Sequence, residues 1–368
     1  MSQRCFHKMS TNDSGVTRAN LRCHPKHLAN NDPKCVNTPG LEGWQQREQK
    51  LYGKRVRFAN ITPLHHSCGS IITMAKRINR AIELLEQDQP IYYDGGHTGH
   101  ILTYEQGLKD AHTWADYINV GMEHGAFDMT GLDNYMNGLI AGGPTNSGHR
   151  TPPVIVETPV EGSSEEIIRF NAWQFRMILA RGVHGILLCQ AETPDAVRAF
   201  IESCRYPINM TGVGYGLERG TRGVGSQPTS APVWGVDGDT YVEKAEPWPL
   251  NPEGELLLGV KIETVRALTN CEQTLSVPGL GFAEWGPGDL HMSFGIKRDP
   301  SKPMDHRLLE ARERVKNACK ENGLAFLDGC TPENVADKID EGVRVIAGHR
   351  IDTAEAGRAY SKRTMPVD

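Results

Sequence analysis

Short apolar runs alternate with helix-spaced segments along the chain from about residue 75 onward. Pro90–Asp94, Ile118–Met122, Pro153–Val156, Gly185–Cys189, Leu256–Ile262, Gly281–Trp285, Leu324–Leu327 and Val343–Ala347 are rich in Val, Ile, Leu and aromatic residues and read as buried strands. Helical spacing covers Ala75–Leu85, about Tyr104–Trp114, Thr130–Leu139, a segment after Ser163-Ser164 to about Arg181, Thr264–Leu275, about Met304–Asn322 and Thr353–Lys362. Ser164 before Glu165 and Glu166, and Thr193 before Pro194 and Asp195, have the chemistry of helix starts. Thr331-Pro332-Glu333 opens one more helix. A long Gly- and Pro-rich excursion, Gly212–Pro252, precedes the fifth run. Strands and helices in alternation predict an α/β fold, a single (β/α)8 TIM barrel domain over residues 51–368. Residues 1–50 are polar, lack periodicity and read as an N-terminal arm or tail.

Two of the strands end in acids. Glu263 closes Leu256–Ile262, and Asp289 follows Gly281–Trp285 after Gly-Pro-Gly. Strand, helix and strand within about 30 residues make a βαβ unit, so both acids belong at the carboxyl edge of one parallel sheet. Such a pair suits a hard divalent cation that keeps some of its waters, and Mg2+, Mn2+ and Co2+ all fit. The bland alternatives are a salt bridge for Glu263 and a helix cap for Asp289. The turn Pro287-Gly288-Asp289 should also present backbone N–H groups, which hold a carboxylate well.

Composition narrows the class. Apolar residues make up 38% of the chain, charged residues 23%, and the net charge is −5. No basic patch invites nucleic acid or an anionic membrane, and no apolar run approaches the ~20 residues of a membrane span. Nine scattered cysteines, with no signal-peptide pattern, suggest reduced thiols and a cytoplasmic protein. Cys23, His24, His27 and Cys35, with Cys5 and His7 nearby, have metal-capable side chains but match no common zinc spacing. The glycines of Gly212–Gly225 lack the flanking strand and helix that a nucleotide fingerprint requires.

VKIETVRAL (Val260–Leu268) followed by VPGLGFAEWGPGDLHMSFG (Val277–Gly295) resembles the HpcH/HpaI-type class II pyruvate-dependent aldolases. INVGMEHG (Ile118–Gly125), the segment Gly182–Pro207, GTRGVG (Gly220–Gly225) and Val343–Lys362 resemble further motifs of that family in the same order, over about residues 80–362. The resemblance implies a metal held by Glu263 and Asp289, a substrate carboxylate gripped at Gly288 and Asp289, and acid/base work by His124 on an aldol hydroxyl. It also implies hexamers, trimers of dimers that exchange the last helix.

The departures are specific. Glu157 stands near the family's strand-three arginine, Ala180 or Arg181 where an aspartate supports the histidine, and Lys261 where a glutamine precedes the metal-binding glutamate. Lys261 shares a mouth with Glu263 and could replace the missing cation or pair with Glu157, itself a candidate substrate contact. His97 and His100, just past the first strand, add acid/base capacity, and His97 is a catalytic candidate. Tyr92, Tyr93, Trp234, Trp248 and Trp285 could line an aromatic pocket. The expected function is a divalent-metal-dependent carbon–carbon lyase acting on a 2-oxo acid or related hydroxy-carboxylate. The resemblance extends to macrophomate synthase, which decarboxylates oxaloacetate and adds the enolate to a pyrone, so decarboxylation is one alternative. A barrel that binds a small acid without catalysis is the other.

Overall fold

The computed structural model describes residues 75–299, 301–347 and 350–368. The expected polar arm, its Cys/His cluster and the domain boundary at residue 51 lie outside the described residues. Nine strands follow in chain order: β1 (Ile91–Gly96), β2 (Tyr117–Gly121), β3 (Val154–Glu161), β4 (Gly185–Cys189), β5 (Pro247–Trp248), β6 (Leu256–Ile262), β7 (Phe282–Trp285), β8 (Ala325–Gly329) and β9 (Val343–Ala347). Every pairing is parallel; β1 joins both β2 and β9, and β4 joins β6, so the eight longer strands close into the predicted barrel. Short β5 lies beside the start of β6.

Alternation along the strands decides which side chains fill the barrel. Ile91, Tyr93, Tyr117, Ile155, Leu187, Leu257, Phe282, Leu327 and Val345 face inward and pack with Ala81, Ile82 and Leu84 of α1 (Arg80–Glu86). Their neighbours, such as Ile118, Val120, Val154, Val156, Leu188 and Val260, belong to the outer core beneath the helices. Helix α1 stoppers the end of the barrel where the strands begin. Asn79 caps it and donates to the carbonyls of His184 and Glu255 at 3.2 and 3.1 Å.

Two of the expected helix starts hold, with Ser164 accepting from the Ile167 N–H and Thr193 from the Ala196 N–H, whereas the helix expected at Thr331-Pro332-Glu333 begins only at Val335, after a turn that ends in Asn334. Other elements differ. β3 runs on past its predicted end to Glu161, with a register break after Glu157 before it pairs with β4 again at Cys189. Thr264–Leu275 is two short helices, Val265–Thr269 and Cys271–Leu275, meeting at Asn270. The excursion contains helices Gln227–Trp234 and Gly238–Lys244. Its prolines masked them, yet Pro228 sits in a first turn, where the missing N–H costs nothing, and buried Trp234 and Tyr241 fasten both helices to the barrel.

The last helix, Ile351–Tyr360, packs beside β1 within the chain. Gly357 closes so tightly on Tyr92 that a Cβ there would stand 1.9 Å from the phenol oxygen. Arg358 donates to the Trp114 carbonyl at 2.8 Å and to Asp116 at 3.1 Å, while Arg363 reaches Asp116 at 2.8 Å. A buried aspartate needs those cations, and this helix and its tail carry them. No described helix is long and apolar enough to cross a membrane.

His184 gives the fold a pH dependence. It is fully buried, its Nδ1 accepts the Val154 N–H at 3.2 Å, and burial holds its pKa down at about 3. The folded state therefore cannot take the proton that an unfolded histidine takes near pH 6.5. Stability attributable to His184 is intact above that pH and is lost on acidification at roughly 1.4 kcal/mol per pH unit until the folded pKa is reached. In His184→Asn, whose amide oxygen can replace Nδ1, the urea-unfolding free energy should fall less between pH 6.5 and 5 than in the parent, by about 2 kcal/mol.

Candidate active site

The carboxyl ends of the strands surround a cleft of about 450 Å3. His97 follows β1, Glu123 and His124 follow β2, Glu263 follows β6, and Gly286-Pro287-Gly288-Asp289 follows β7. Lys261, Glu284 and Trp285 form the floor and wall, with Asp328, Gly329 and Ala347 opposite.

The alternation that puts Leu257 and Phe282 in the apolar core carries upward to Lys261 and Glu284, which are register partners. Asn119 and Glu157 continue the inward faces of β2 and β3 in the same way. A charged layer thus rests on an apolar one. Lys261 Nζ donates to Glu123 Oε2 at 2.6 Å and lies 3.3 Å from both Glu157 Oε2 and His97 Nδ1. His97 Nδ1 is 2.9 Å from each Glu157 oxygen, and Asn119 donates to Oε1 at 2.8 Å.

Electrostatics follow from this layer. Burial disfavours the Lys261 cation, but Glu284, Cys189, Glu157 and Glu263 outweigh it and raise the pKa. The Glu157 hydrogen bond raises His97 against burial. Burial opposes ionisation of Glu157, yet His97 and Lys261 hold its pKa below the ordinary glutamate value. Burial pushes Glu263 up to about 8 and Glu284 up to about 7, in both cases against Lys261.

Glu263 is held from two directions. Its Oε1 accepts the Gln190 N–H at 2.7 Å, delivered from a backbone with φ +47°, which costs a non-glycine residue about 1 kcal/mol or more. Gly286 presses from the other side, where an added Cβ would stand 2.4 Å from Glu263 Cβ. Only glycine allows that approach.

Glu123, His124 and Asp289 bring donor atoms within 4.8 Å of one another, and Glu123, Cys189 and Glu263 form a second such group. Glu123 belongs to both, although sequence reasoning gave it no role in metal binding and overlooked Cys189. The Glu-His pair signalled Glu123. Cys189 carried no local signal beyond its inward place two residues after Leu187 on β4. Four acids, half-buried Glu123 and buried Glu157, Glu263 and Glu284, crowd around the single buried ammonium of Lys261, and Glu123 Oε1 has no hydrogen-bond partner. A divalent cation fits that donor set.

Other candidates fall elsewhere. Glu157, expected to meet substrate, is buried beneath the cleft with its oxygens engaged by His97, Asn119 and Lys261. His100 turns to Asp110 and Tyr135. Arg181 reaches Asp133, and no arginine lines the cleft among the described residues. Trp285 alone of the proposed aromatic lining reaches it, its Nε1 donating to Asp328 at 2.8 Å.

A family model described as HpcH/HpaI aldolase/citrate lyase matches residues 160–356, more than half of the chain. The chain belongs to the HpcH/HpaI aldolase/citrate lyase family. The match includes Glu263 and Asp289, whereas β2 with His124 lies upstream of it. A 2-keto-3-deoxy-L-rhamnonate aldolase of Klebsiella pneumoniae is 28% identical over 187 residues, 50% of this chain and 59% of that protein. The corresponding Escherichia coli O17:K52:H18 protein is 28% identical over 177 residues, 48% and 56% of the two chains. The chain thus spans little more than half the length of these relatives. Among solved structures, an HpcH/HpaI family protein from Burkholderia cenocepacia J2315 has a TM-score of 0.55 at 21% identity, covering 77% of this chain and 97% of its own. Macrophomate synthase has a TM-score of 0.54 at 18% identity, covering 80% and 92%. At those identities the likeness is one of fold.

The charged layer makes a measurable demand. Lys261→Met should destabilise the protein by about 3–5 kcal/mol, because it strands Glu157 and Glu123 without their cation. Adding Glu157→Gln should return part of that loss, so the two substitutions should be clearly non-additive in a urea-unfolding double-mutant cycle.

Proposed function

We propose that this protein is a divalent-metal-dependent carbon–carbon lyase acting on a 2-oxo acid. The observation that carries the reading is the pinned Glu263 beside the partnerless Glu123 oxygen, in a cleft at the carboxyl mouth of an HpcH/HpaI barrel. Glu263 and Asp289 would hold the metal from opposite sides of Glu123, which shares a donor group with each of them. A divalent cation there supplies Lewis-acid polarisation of the 2-oxo group, and Mg2+, Mn2+ or Co2+ can do so.

The chain's own residues do the rest. Backbone N–H groups of Gly288 and Asp289, in the first turn of helix Pro287–Ser293, orient the substrate carboxylate. His124 stands at the rim, its side chain 54% exposed and 3.7 Å from Glu123. It takes the hydroxyl proton as the carbon–carbon bond breaks and the bonding electrons pass to the 2-oxo acid half. Lys261 stays cationic among its acids, so it serves as a fixed countercharge and not as a Schiff-base amine. His97, tied to Glu157, holds that countercharge in place. The relatives named for 2-keto-3-deoxy-L-rhamnonate suggest a 2-keto-3-deoxy sugar acid as the substrate class.

Oxaloacetate decarboxylation is the second reading, favoured by the engagement of Lys261 and the absence of an arginine from the described cleft lining. Loss of carbon dioxide generates the enolate without a base on a hydroxyl. Cleavage of 2-keto-3-deoxy sugar acids and pyruvate–aldehyde condensation, run beside oxaloacetate decarboxylation with each metal, separate the two. Glu263→Gln or Asp289→Asn should lower metal-dependent turnover on the order of 100-fold or more. His124→Asn should cost aldol cleavage about 100-fold while sparing decarboxylation. Full turnover by either ligand variant after chelation would sink the metal mechanism.

We further propose a homo-oligomer, with a hexamer of three dimers as the expected form. Besides the exchange of the last helix that the family resemblance implies, Ile167, Phe170 and Trp173 on helix Glu165–Leu179 offer a face for contact. Phe170 is 83% exposed there, and soluble monomers rarely display such a stripe. Light scattering should give an oligomeric mass for the intact chain and a smaller one for Phe170→Glu; a monomeric parent at micromolar concentration ends the idea.

A further inference from the structure

Cys189 ends β4 on the barrel's inward face, two residues beyond core residue Leu187, and is fully buried. Its Sγ and donor oxygens of Glu123 and Glu263 all lie within 4.8 Å of one another. Donors that share one ion can be no farther apart than about twice a metal–ligand bond, ~4.6 Å for sulfur. The trio's separations, none above 4.8 Å, bring all three donors within or close to that range. Among the described residues, Cys204, Cys271, Cys319 and Cys330 belong to no such group.

A buried cysteine is usually a small apolar filler. Here a second feature argues otherwise. The Glu123 side chain is only 8% exposed, and while its Oε2 is taken by Lys261, its Oε1 has no partner. A buried carboxylate oxygen without a donor is costly, and a cation between Glu123, Glu263 and Cys189 would satisfy it.

We propose that Cys189 ligates the divalent metal of this cleft together with Glu123 and Glu263, and that its sulfur selects a borderline transition ion, such as Co2+, Zn2+ or Fe2+, over Mg2+. The proposal rests on the reading of the cleft as a metal centre. Thiolate sulfur favours softer ions, whereas Mg2+ takes oxygen donors almost exclusively. Coordination replaces the thiol proton with the metal, and that proton leaves to solvent.

Cobalt loading of the full chain separates this proposal from the reading beneath it. Visible d–d absorption reports cobalt held by protein ligands, and a near-ultraviolet sulfur-to-cobalt charge-transfer band reports thiolate coordination. The parent should show both. Cys189→Ser, with Cys189→Ala as a second variant, should keep the d–d absorption, lose the charge-transfer band, and let Mg2+ compete more effectively against Co2+. Glu263→Gln should lose the cleft cobalt altogether. Cobalt bound without the charge-transfer band, or a band that survives both Cys189 variants, overturns the ligand assignment and leaves the metal centre standing. Cobalt uptake unchanged by Glu263→Gln overturns the metal reading, and this proposal with it.

Discussion

The upper half of the barrel depends on one buried ammonium. Lys261 sits 2.6 Å from Glu123 and 3.3 Å from Glu157, with Glu284 beside it on the neighbouring strand. Without that cation the layer would gather carboxylates in a low-dielectric interior, where most would have to be protonated. With it, the Glu157 pKa is held below the ordinary glutamate value, and the Glu157 hydrogen bond raises that of His97. Burial still pushes Glu263 up to about 8 and Glu284 up to about 7, so both hold a proton readily near neutral pH, and a cation in the cleft would take that proton's place.

The apolar layer below makes the charged one affordable. Tyr93, Tyr117, Phe282 and Leu327 exclude water from beneath Lys261, which strengthens each ion pair above. The glycines at the mouth act in the same direction: Gly286 brings the β7 turn against Glu263, and Gly121 lets β2 pass the His97 backbone, where a Cβ would stand 2.4 Å from its carbonyl carbon. Side chains at those positions would force the strand ends apart and admit water.

Much of this was legible in the chain itself. The runs ending at Ile262 and Trp285 announced the βαβ unit, and Glu263 and the Gly-Pro-Gly-Asp turn stood out by chemistry. Helix starts at Ser164 and Thr193 were readable because a cap is a local contract between a side chain and the next turn. What stayed hidden depends on contacts between distant strands. The pairing of Lys261 with Glu157 was legible as one of two options, but the convergence of His97 and Asn119 on the same carboxylate, which takes Glu157 out of reach of substrate, was not. Cys189 looked like the end of an apolar run, and its meeting with Glu123 and Glu263 exists only once β2, β4 and β6 share a mouth. The helices of the excursion escaped notice because proline marks a break in isolation, whereas burial of Trp234 and Tyr241 decides the matter in the fold.

Helix α1 stoppers the barrel at the end opposite the cleft, with Asn79 fastened to the His184 and Glu255 carbonyls and Ala81, Ile82 and Leu84 wedged among the strands. A vessel closed at its base has one door. Any solute that reaches the buried charges of the cleft must enter and leave on the carboxyl side of the strands, past the loops that carry His97, His124 and Asp289.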